Sequence, residues 1–91
     1  HMDMLFIQTS KQNWSAWEES FAMLVTWFQV EQSSTAEGLI LKKTGCNLLE
    51  LGHLERARKV FQIALSVWQH LDREREIEET KSLIDRCRLF L

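Results

Sequence analysis

The sequence predicts an all-α fold built from antiparallel helical hairpins. Apolar residues recur at spacings of three and four along most of the chain, which is the periodicity of helices packed on one side. The 91 residues include no proline and only three glycines, so helix breakers are few. A hydrophobic content of 45% with 26% charged residues is typical of a globular domain. We therefore expect about four helices plus a short N-terminal stub, in one small domain.

The N-terminal third predicts the stub and one long helix. The stub is the short apolar segment 4–7, and the polar stretch after it is expected to be a loop or a frayed helix start. The next helix is predicted over residues 14–32, with Asn13 or Ser15 as its cap. This helix is apolar around much of its circumference, so it is either central in the fold or covered on its second side by a partner.

The rest of the chain predicts a helical pair and a final helix. Ser34 forms a capping box with the glutamate three residues further on, which starts the pair over residues 35–70. Between the two helices of the pair, Gly52 is free to adopt the left-handed conformation that closes helices. Asp72 is expected to cap a last helix over residues 73–91, which has one apolar stripe and an opposite charged face.

Segment 41–65 carries the most specific pattern in the chain. Its first helix has one small residue and its second has an Ala-x3-Phe-x2-Ala pattern: Gly45, then Ala57, Phe61 and Ala64. Small residues let two helix backbones approach, and large residues fill the remaining volume. The pattern resembles one tetratricopeptide repeat (TPR) over about residues 38–71, at that family's period of about 34 residues. An ordinary helical hairpin with the same packing need is the alternative.

The resemblance to TPR proteins implies a binding function. In that family the first helices of successive repeats line a concave groove that holds a partner peptide or helix. The corresponding residues here would be Leu39, Lys42, Lys43, Cys46, Leu49 and Glu50. Lys42 stands where family members that grip a C-terminal carboxylate often have lysine, but Cys46 replaces the asparagine that accompanies it. Solvation of a helix surface is the alternative interpretation of Lys42 and Lys43.

The long N-terminal helix predicts self-association. Met23, Trp27 and Val30 lie beside its core-facing stripe, so the helix carries more apolar surface than one packed side can cover. One full repeat with two flanking helices is also short of the three repeats that such stacks usually need. We therefore expect a two-fold homodimer formed through these residues. Alternatively, the stub or the last helix covers the second side within one chain.

Motifs and charge exclude several classes of function. No spacing typical of a catalytic site, cofactor loop or metal centre is present, so we expect no enzyme, no cofactor and no metal. Residues 1–38 hold one lysine against five acidic residues, and the remainder has a net charge of only +2, which does not predict nucleic-acid binding. No apolar run approaches the ~20 residues of a membrane span.

The remaining expectation is a non-catalytic protein–protein interaction module, a TPR-like adaptor or scaffold that binds a protein or peptide. The alternative is a helical regulatory or sensor arm of a larger signalling or transcription protein. Cys46 and Cys87 lie on different predicted helices and are expected to be reduced thiols of a cytoplasmic protein. His1-Met2 is interpreted as a cloning remnant, with residues 3–91 forming the domain.

Overall fold

A computed structural model describes the backbone of residues 2–89 and the side chains of residues 4–88. Every regular element within that range is a helix, which confirms the all-α prediction. The elements are α1 (Met2–Ser10), α2 (Trp14–Trp27), a 3-10 helix (Val30–Gln32), α3 (Thr35–Glu50), α4 (Leu54–His70) and α5 (Glu74–Leu89). His1 of the predicted cloning remnant and the last two residues of the predicted segment 73–91 lie outside the described residues.

The predicted stub at residues 4–7 is a complete helix, α1, so the described chain has five α-helices instead of about four. Thr9 was expected in a loop, yet it lies in the last turn of α1 with its side chain fully buried. Its hydroxyl donates to the Leu5 carbonyl oxygen (2.9 Å) and accepts a hydrogen bond from Trp17 Nε1 (2.8 Å). Because both hydrogen bonds of the hydroxyl are made within the protein, Thr9 can be buried although its side chain is polar.

The predicted helix over residues 14–32 is shorter in the structure, because α2 ends at Trp27. Phe28 adopts an extended conformation (φ −73°, ψ 127°), and its N–H donates to the Leu24 carbonyl oxygen at 2.8 Å. This bend packs the Phe28 ring against the core and lets the following 3-10 helix pack on α4. Val30 therefore lies on a separate element from the other residues predicted for self-association.

Three of the four connections between the α-helices share one geometry. The second residue after each helix has a left-handed backbone: Gln12 (φ 56°), Gly52 (φ 83°) and Asp72 (φ 55°). The N–H of that residue bonds the carbonyl three positions back, and the next N–H bonds the carbonyl five positions back, which is the Schellman arrangement. The predicted role of Gly52 is confirmed, whereas Asp72 closes α4 instead of capping α5. The fourth connection, residues 28–34, is longer and holds the 3-10 helix.

Helices α3 and α4 pack closely as an antiparallel pair. A methyl group added at Gly45 would lie 2.5 Å from the nearest atom of the Phe61 ring, so the predicted close approach there is confirmed. At Gly38, an added methyl group would lie 2.7 Å from the nearest atom of the Trp68 ring. Two glycines of α3 thus each accept an aromatic ring of α4, and this part of the core is closed to water.

Helices α1 and α3 run in the same direction, since their contacts advance together along both helices. The tight turns before and after α4 bring α5 back to that direction. Three side-chain contacts of equal sequence separation, 37 residues, join them: Lys43 to the Phe6 ring, Asn47 to Ser10, and Lys42 to Glu79. Helix α2 packs on α1, and α4 packs between α3 and α5. Within the described residues, each helix thus packs mainly on helices close to it in sequence.

Candidate functional site

An apolar groove of about 980 Å³ opens between α2 and α3. Its apolar lining comes from α1, α2, the bend after α2, and α3: Met4, Met23, Leu24, Trp27, Phe28 and Ile40. Its polar lining is Ser20, Gln29, Gln32 and Glu37. Pockets of this size, mainly apolar with a few polar groups, are typical binding sites for side chains or ligands.

Helix α2 is attached to α4 at its N-terminal end. Arg56 of α4 donates from Nε to Glu18 Oε1 (3.1 Å), and its Nη1 lies 3.0 Å from His53 Nδ1. The same guanidinium lies 4.8 Å from the ring centroid of Trp14 and 5.5 Å from that of Trp17. A planar guanidinium can bond a carboxylate and stack on aromatic rings at the same time. Arg56 therefore ties the start of α2 to the start of α4.

The C-terminal end of α2 lacks a comparable attachment to α3. Within the described residues, α2 packs on α1 and makes no extensive contact with α3. The inner face of α2 carries large side chains, with the Trp17 ring stacked on Phe21 at a centroid distance of 5.1 Å. Large side chains hold helix axes apart. The end of α2 and the start of α3 consequently enclose open space.

Two of the three residues predicted for self-association line this groove. Trp27 is 76% exposed and Met23 is 55% exposed, both on α2. Val30 is partly buried and does not line the groove. Val25 of the same helix is 59% exposed but lies outside the groove. Exposed tryptophan and methionine beside an apolar hollow are typical of interaction surfaces.

The groove carries little charge. Among the residues whose side chains the structure describes, Glu37 is the one charged residue that lines the groove. Its carboxylate already accepts hydrogen bonds from the Ser34 N–H (2.9 Å) and the Ser34 hydroxyl (3.2 Å). These bonds are the predicted capping box, which fixes the start of α3. The free polar groups at the rim are therefore neutral amides and a hydroxyl, which can pair with a partner without a charge being desolvated.

The six residues predicted to line a partner groove all lie on α3, on the side between α1 and α5. Lys42 forms an ion pair with Glu79 of α5 (2.6 Å), and both side chains keep contact with solvent. The hydrogen bond from Lys42, followed by its charge, lowers the pKa of Glu79. Lys43 lies over the Phe6 ring of α1, 5.6 Å from its centroid. Both lysines thus contact neighbouring helices of the same chain.

The other four residues of that set differ in exposure. Leu39 is 53% exposed and Glu50 is exposed, whereas Cys46 and Leu49 are half-buried and pack against the core. Burial is the main cause that raises the pKa of the Cys46 thiol, although Lys42 lowers it. Burial also raises the pKa of Cys87, the second free cysteine. Cys87 belongs to the hydrophobic core and Cys46 packs against it, so the packing of both side chains is that of small apolar residues.

The structure was also searched for metal sites and for membrane-spanning helices. In the part of the chain that the structure describes, no group of three or more His, Cys, Asp or Glu side chains is placed to hold a metal ion. Among the described residues, no helix combines the length and the apolar composition that a membrane-spanning segment requires.

Comparison of this chain with protein-family models, with curated proteins and with solved structures finds no match. The resemblance to TPR proteins therefore depends on the residues of this chain alone.

Three features of the structure were not predicted from the sequence. The packing role of Gly38 was missed, although its spacing of seven from Gly45 equals the spacing of Phe61 from Trp68. The bonds of Arg56 join residues far apart in sequence, so no local pattern marks them. The groove itself depends on where α2 ends. The apolar residues of segment 14–32 continue beyond that end, so the sequence does not mark it.

Proposed function

We propose that the protein is a non-catalytic protein–protein interaction module, a TPR-like adaptor or scaffold. The observation that supports this best is the mainly apolar groove between α2 and α3, with the highly exposed Trp27 at its rim. A groove of this kind suits the apolar face of a helix or peptide. Tryptophan is also the side chain most often found as an energetic anchor of such contacts.

Three features support the TPR-like part of the proposal. The constant separation of 37 residues between contacts of α1, α3 and α5 is close to the TPR period. The repeated Schellman turns give successive hairpins the same local geometry. The small residue at Gly45 accepts the aromatic ring of Phe61, as the repeat pattern requires. Action in the cytoplasm is part of the proposal, because free Cys46 and Cys87 suit a reducing compartment.

A library of displayed peptides tests the interaction function directly. The immobilised protein should enrich a family of peptides, and Trp27→Glu should weaken their binding roughly 30-fold or more, the effect of losing one interface anchor. Val25→Glu is the matched control, since it places the same charge on the same helix at an exposed position outside the groove. It should leave binding unchanged.

A second arm of that experiment uses Lys42→Glu to address the face of α3 between α1 and α5. If the partner binds the α2–α3 groove, this variant should retain the selected peptides. If the selected peptides bind Trp27→Glu as well as wild type but do not bind Lys42→Glu, the binding site is the α3 face instead of the groove. Failure to enrich any peptide over a blank surface would contradict the proposed function itself.

A further inference from the structure

We propose that Arg56 is a positioning residue of the α2–α3 groove: it sets how readily the groove binds a peptide, although Arg56 itself does not line the groove. It acts by holding the N-terminal end of α2 on α4. This inference rests on the proposed interaction function and adds a residue that controls it. Because Arg56 acts on the free protein, its effect applies to any peptide that binds through Trp27.

Arg56 lies at the centre of a cluster that joins α2 to the start of α4. On the α2 side, the Glu18 carboxylate accepts a hydrogen bond from its Nε, and the rings of Trp14 and Trp17 lie close to the guanidinium. On the α4 side, the His53 ring lies 4.0 Å from the Trp14 ring between centroids, and His53 Nδ1 accepts from Arg56 Nη1, because a guanidinium can only donate. The Arg56 side chain is 27% exposed, so these contacts are partly shielded from water. The cluster therefore fixes the first turn of α2 in both distance and orientation.

Few other contacts hold α2 against the α3–α4 pair. Within the described residues, its one extensive helix contact is with α1, and the bond from Trp17 to Thr9 belongs to that contact. Two packed helices can slide or roll on each other by small amounts unless a third element restrains them. The Phe28 ring, which packs against the core, restrains the C-terminal end of α2. Arg56 supplies the corresponding restraint at the N-terminal end.

A small roll of α2 is enough to change the groove. Backbone hydrogen bonds make an α-helix turn as a unit, so a roll of about 20° moves side chains at its ~5 Å radius by about 2 Å. Met23 and Trp27 line the groove from α2, and Ile40 lines it from α3. Separation of apolar surfaces by about 0.5–1 Å already loses roughly a quarter to a half of their contact energy. The placement of α2 therefore decides whether a peptide fits both walls at once.

An unrestrained α2 lowers the fraction of molecules in which the groove is correctly formed. The apparent dissociation constant equals the intrinsic one divided by that fraction. If the loss of Arg56 leaves about one molecule in ten with α2 correctly placed, the dissociation constant rises about tenfold. The change appears in the association rate constant, because each productive encounter needs a correctly formed groove, whereas the bound complex is unchanged. A residue that contacts the peptide changes mainly the dissociation rate constant.

Stopped-flow kinetics with one peptide test this. The peptide is one that the wild-type protein enriches and whose binding requires Trp27. Arg56→Gln should lower the association rate constant about tenfold and change the dissociation rate constant by less than about twofold. Lys59→Gln is the matched control, because Lys59 is an exposed cation of α4 that lines a hollow of about 300 Å³ together with Glu18 and Arg56. It removes the same charge from the same surface and should leave both rate constants unchanged. Circular dichroism verifies that each variant is folded under the conditions of the measurement.

A double-variant cycle shows whether Arg56 acts through α2. Glu18→Gln removes the charged acceptor on α2, so Arg56→Gln should lower the association rate constant less in that background than in wild type. Arg56→Lys keeps the positive charge but not the planar fork that bonds and stacks at once, so its association rate constant should lie between those of wild type and Arg56→Gln. In the free protein, the methyl NMR signal of Met23 should shift with Arg56→Gln and stay in place with Lys59→Gln.

An Arg56→Gln protein that associates as fast as wild type overturns the positioning role, as does a Met23 signal that does not shift. A change confined to the dissociation rate constant indicates direct contact with the peptide, and an equal loss with Lys59→Gln indicates charge attraction alone; either result overturns it. An equal effect of Arg56→Gln in the wild-type and Glu18→Gln backgrounds also overturns it. In each case, peptide binding that depends on Trp27 leaves the proposed interaction function standing, whereas failure to enrich any peptide removes both.

Discussion

The hairpins α1–α2 and α3–α4 share the same turn but differ in the contacts that join their helices. Seven residues before the left-handed turn residue, α3 has Gly45 and α1 has Leu5. Gly45 accepts the Phe61 ring, so α3 and α4 close. In α1, Leu5 is fully buried, and a buried hydrogen bond from Trp17 to Thr9 joins α1 to α2. The same turn thus connects one helix pair joined by a ring against a glycine and another joined by a side-chain hydrogen bond.

The strongest test of this difference is to enlarge the small residue. Gly45→Leu should destabilise the protein by about 1–3 kcal/mol, because the new side chain must displace the Phe61 ring. Thermal or urea unfolding measures the change in the free energy of unfolding. Ala36→Leu is the matched control, since that position of α3 is exposed and should stay within about 0.5 kcal/mol.

A double variant identifies the clash as the cause. In a Phe61→Ala background, Gly45→Leu should cost much less than it does alone, because the ring is absent and the two sites are coupled. An equal cost in both backgrounds, or an unchanged melting curve for Gly45→Leu, would show that close approach at this position does not hold α3 to α4.

Removal of the Thr9 hydroxyl tests how α1 and α2 are joined. Thr9→Val should cost about 1–2 kcal/mol, because it leaves the buried Trp17 Nε1–H without an acceptor. Thr44→Val is the matched control in α3. Thr44 is equally buried, but its hydroxyl donates only to the Ile40 carbonyl oxygen of its own helix (2.9 Å). Similar costs for both variants in urea unfolding would mean that the Trp17 bond does not fix α1 to α2.

Substitutions at the left-handed turn residues Gln12 and Gly52 should change the stability of the protein by smaller amounts and in opposite directions. Gln12→Gly relieves a left-handed conformation in a residue with a side chain, and should stabilise the protein by about 1 kcal/mol. Gly52→Gln imposes the same conformation on a larger residue, and should destabilise by a similar amount. Melting temperatures of the two single variants and the double variant measure this, and a shift of the same sign in both would refute it.

The ion pair between α3 and α5 should have the smallest effect. Because Lys42 lowers the pKa of Glu79, the pair contributes stability above the ordinary glutamate value of 4.5, and this is lost as pH falls through the lowered pKa. The contribution is small, since both groups face solvent. Lys42→Met should raise the pKa of Glu79 in a carboxyl NMR titration. Lys43→Met, whose lysine lies over Phe6, should leave it unchanged.

The features that could be predicted from the sequence depend on local patterns of residues. Ser34 with its capping box, Gly52 in its turn and Gly45 within the repeat pattern each act through residues a few positions away or one helix away. The end of α2 at Trp27 could not be predicted, because it depends on where the Phe28 ring packs in the assembled core. The groove could not be predicted either, since it is the space left between helices whose spacing is set elsewhere.

Every extensive contact in the described chain joins helices that are neighbours or next neighbours in sequence. Such low contact order favours rapid folding. It also allows the chain to open from one end, since no extensive contact joins α1 to α5. Helices α1 and α2 are attached to the rest of the chain by the packing of α1 on α3 and by Arg56. Their amide hydrogens should therefore exchange through partial opening while α3 and α4 remain protected. The same opening would dismantle the groove without unfolding the glycine-packed pair.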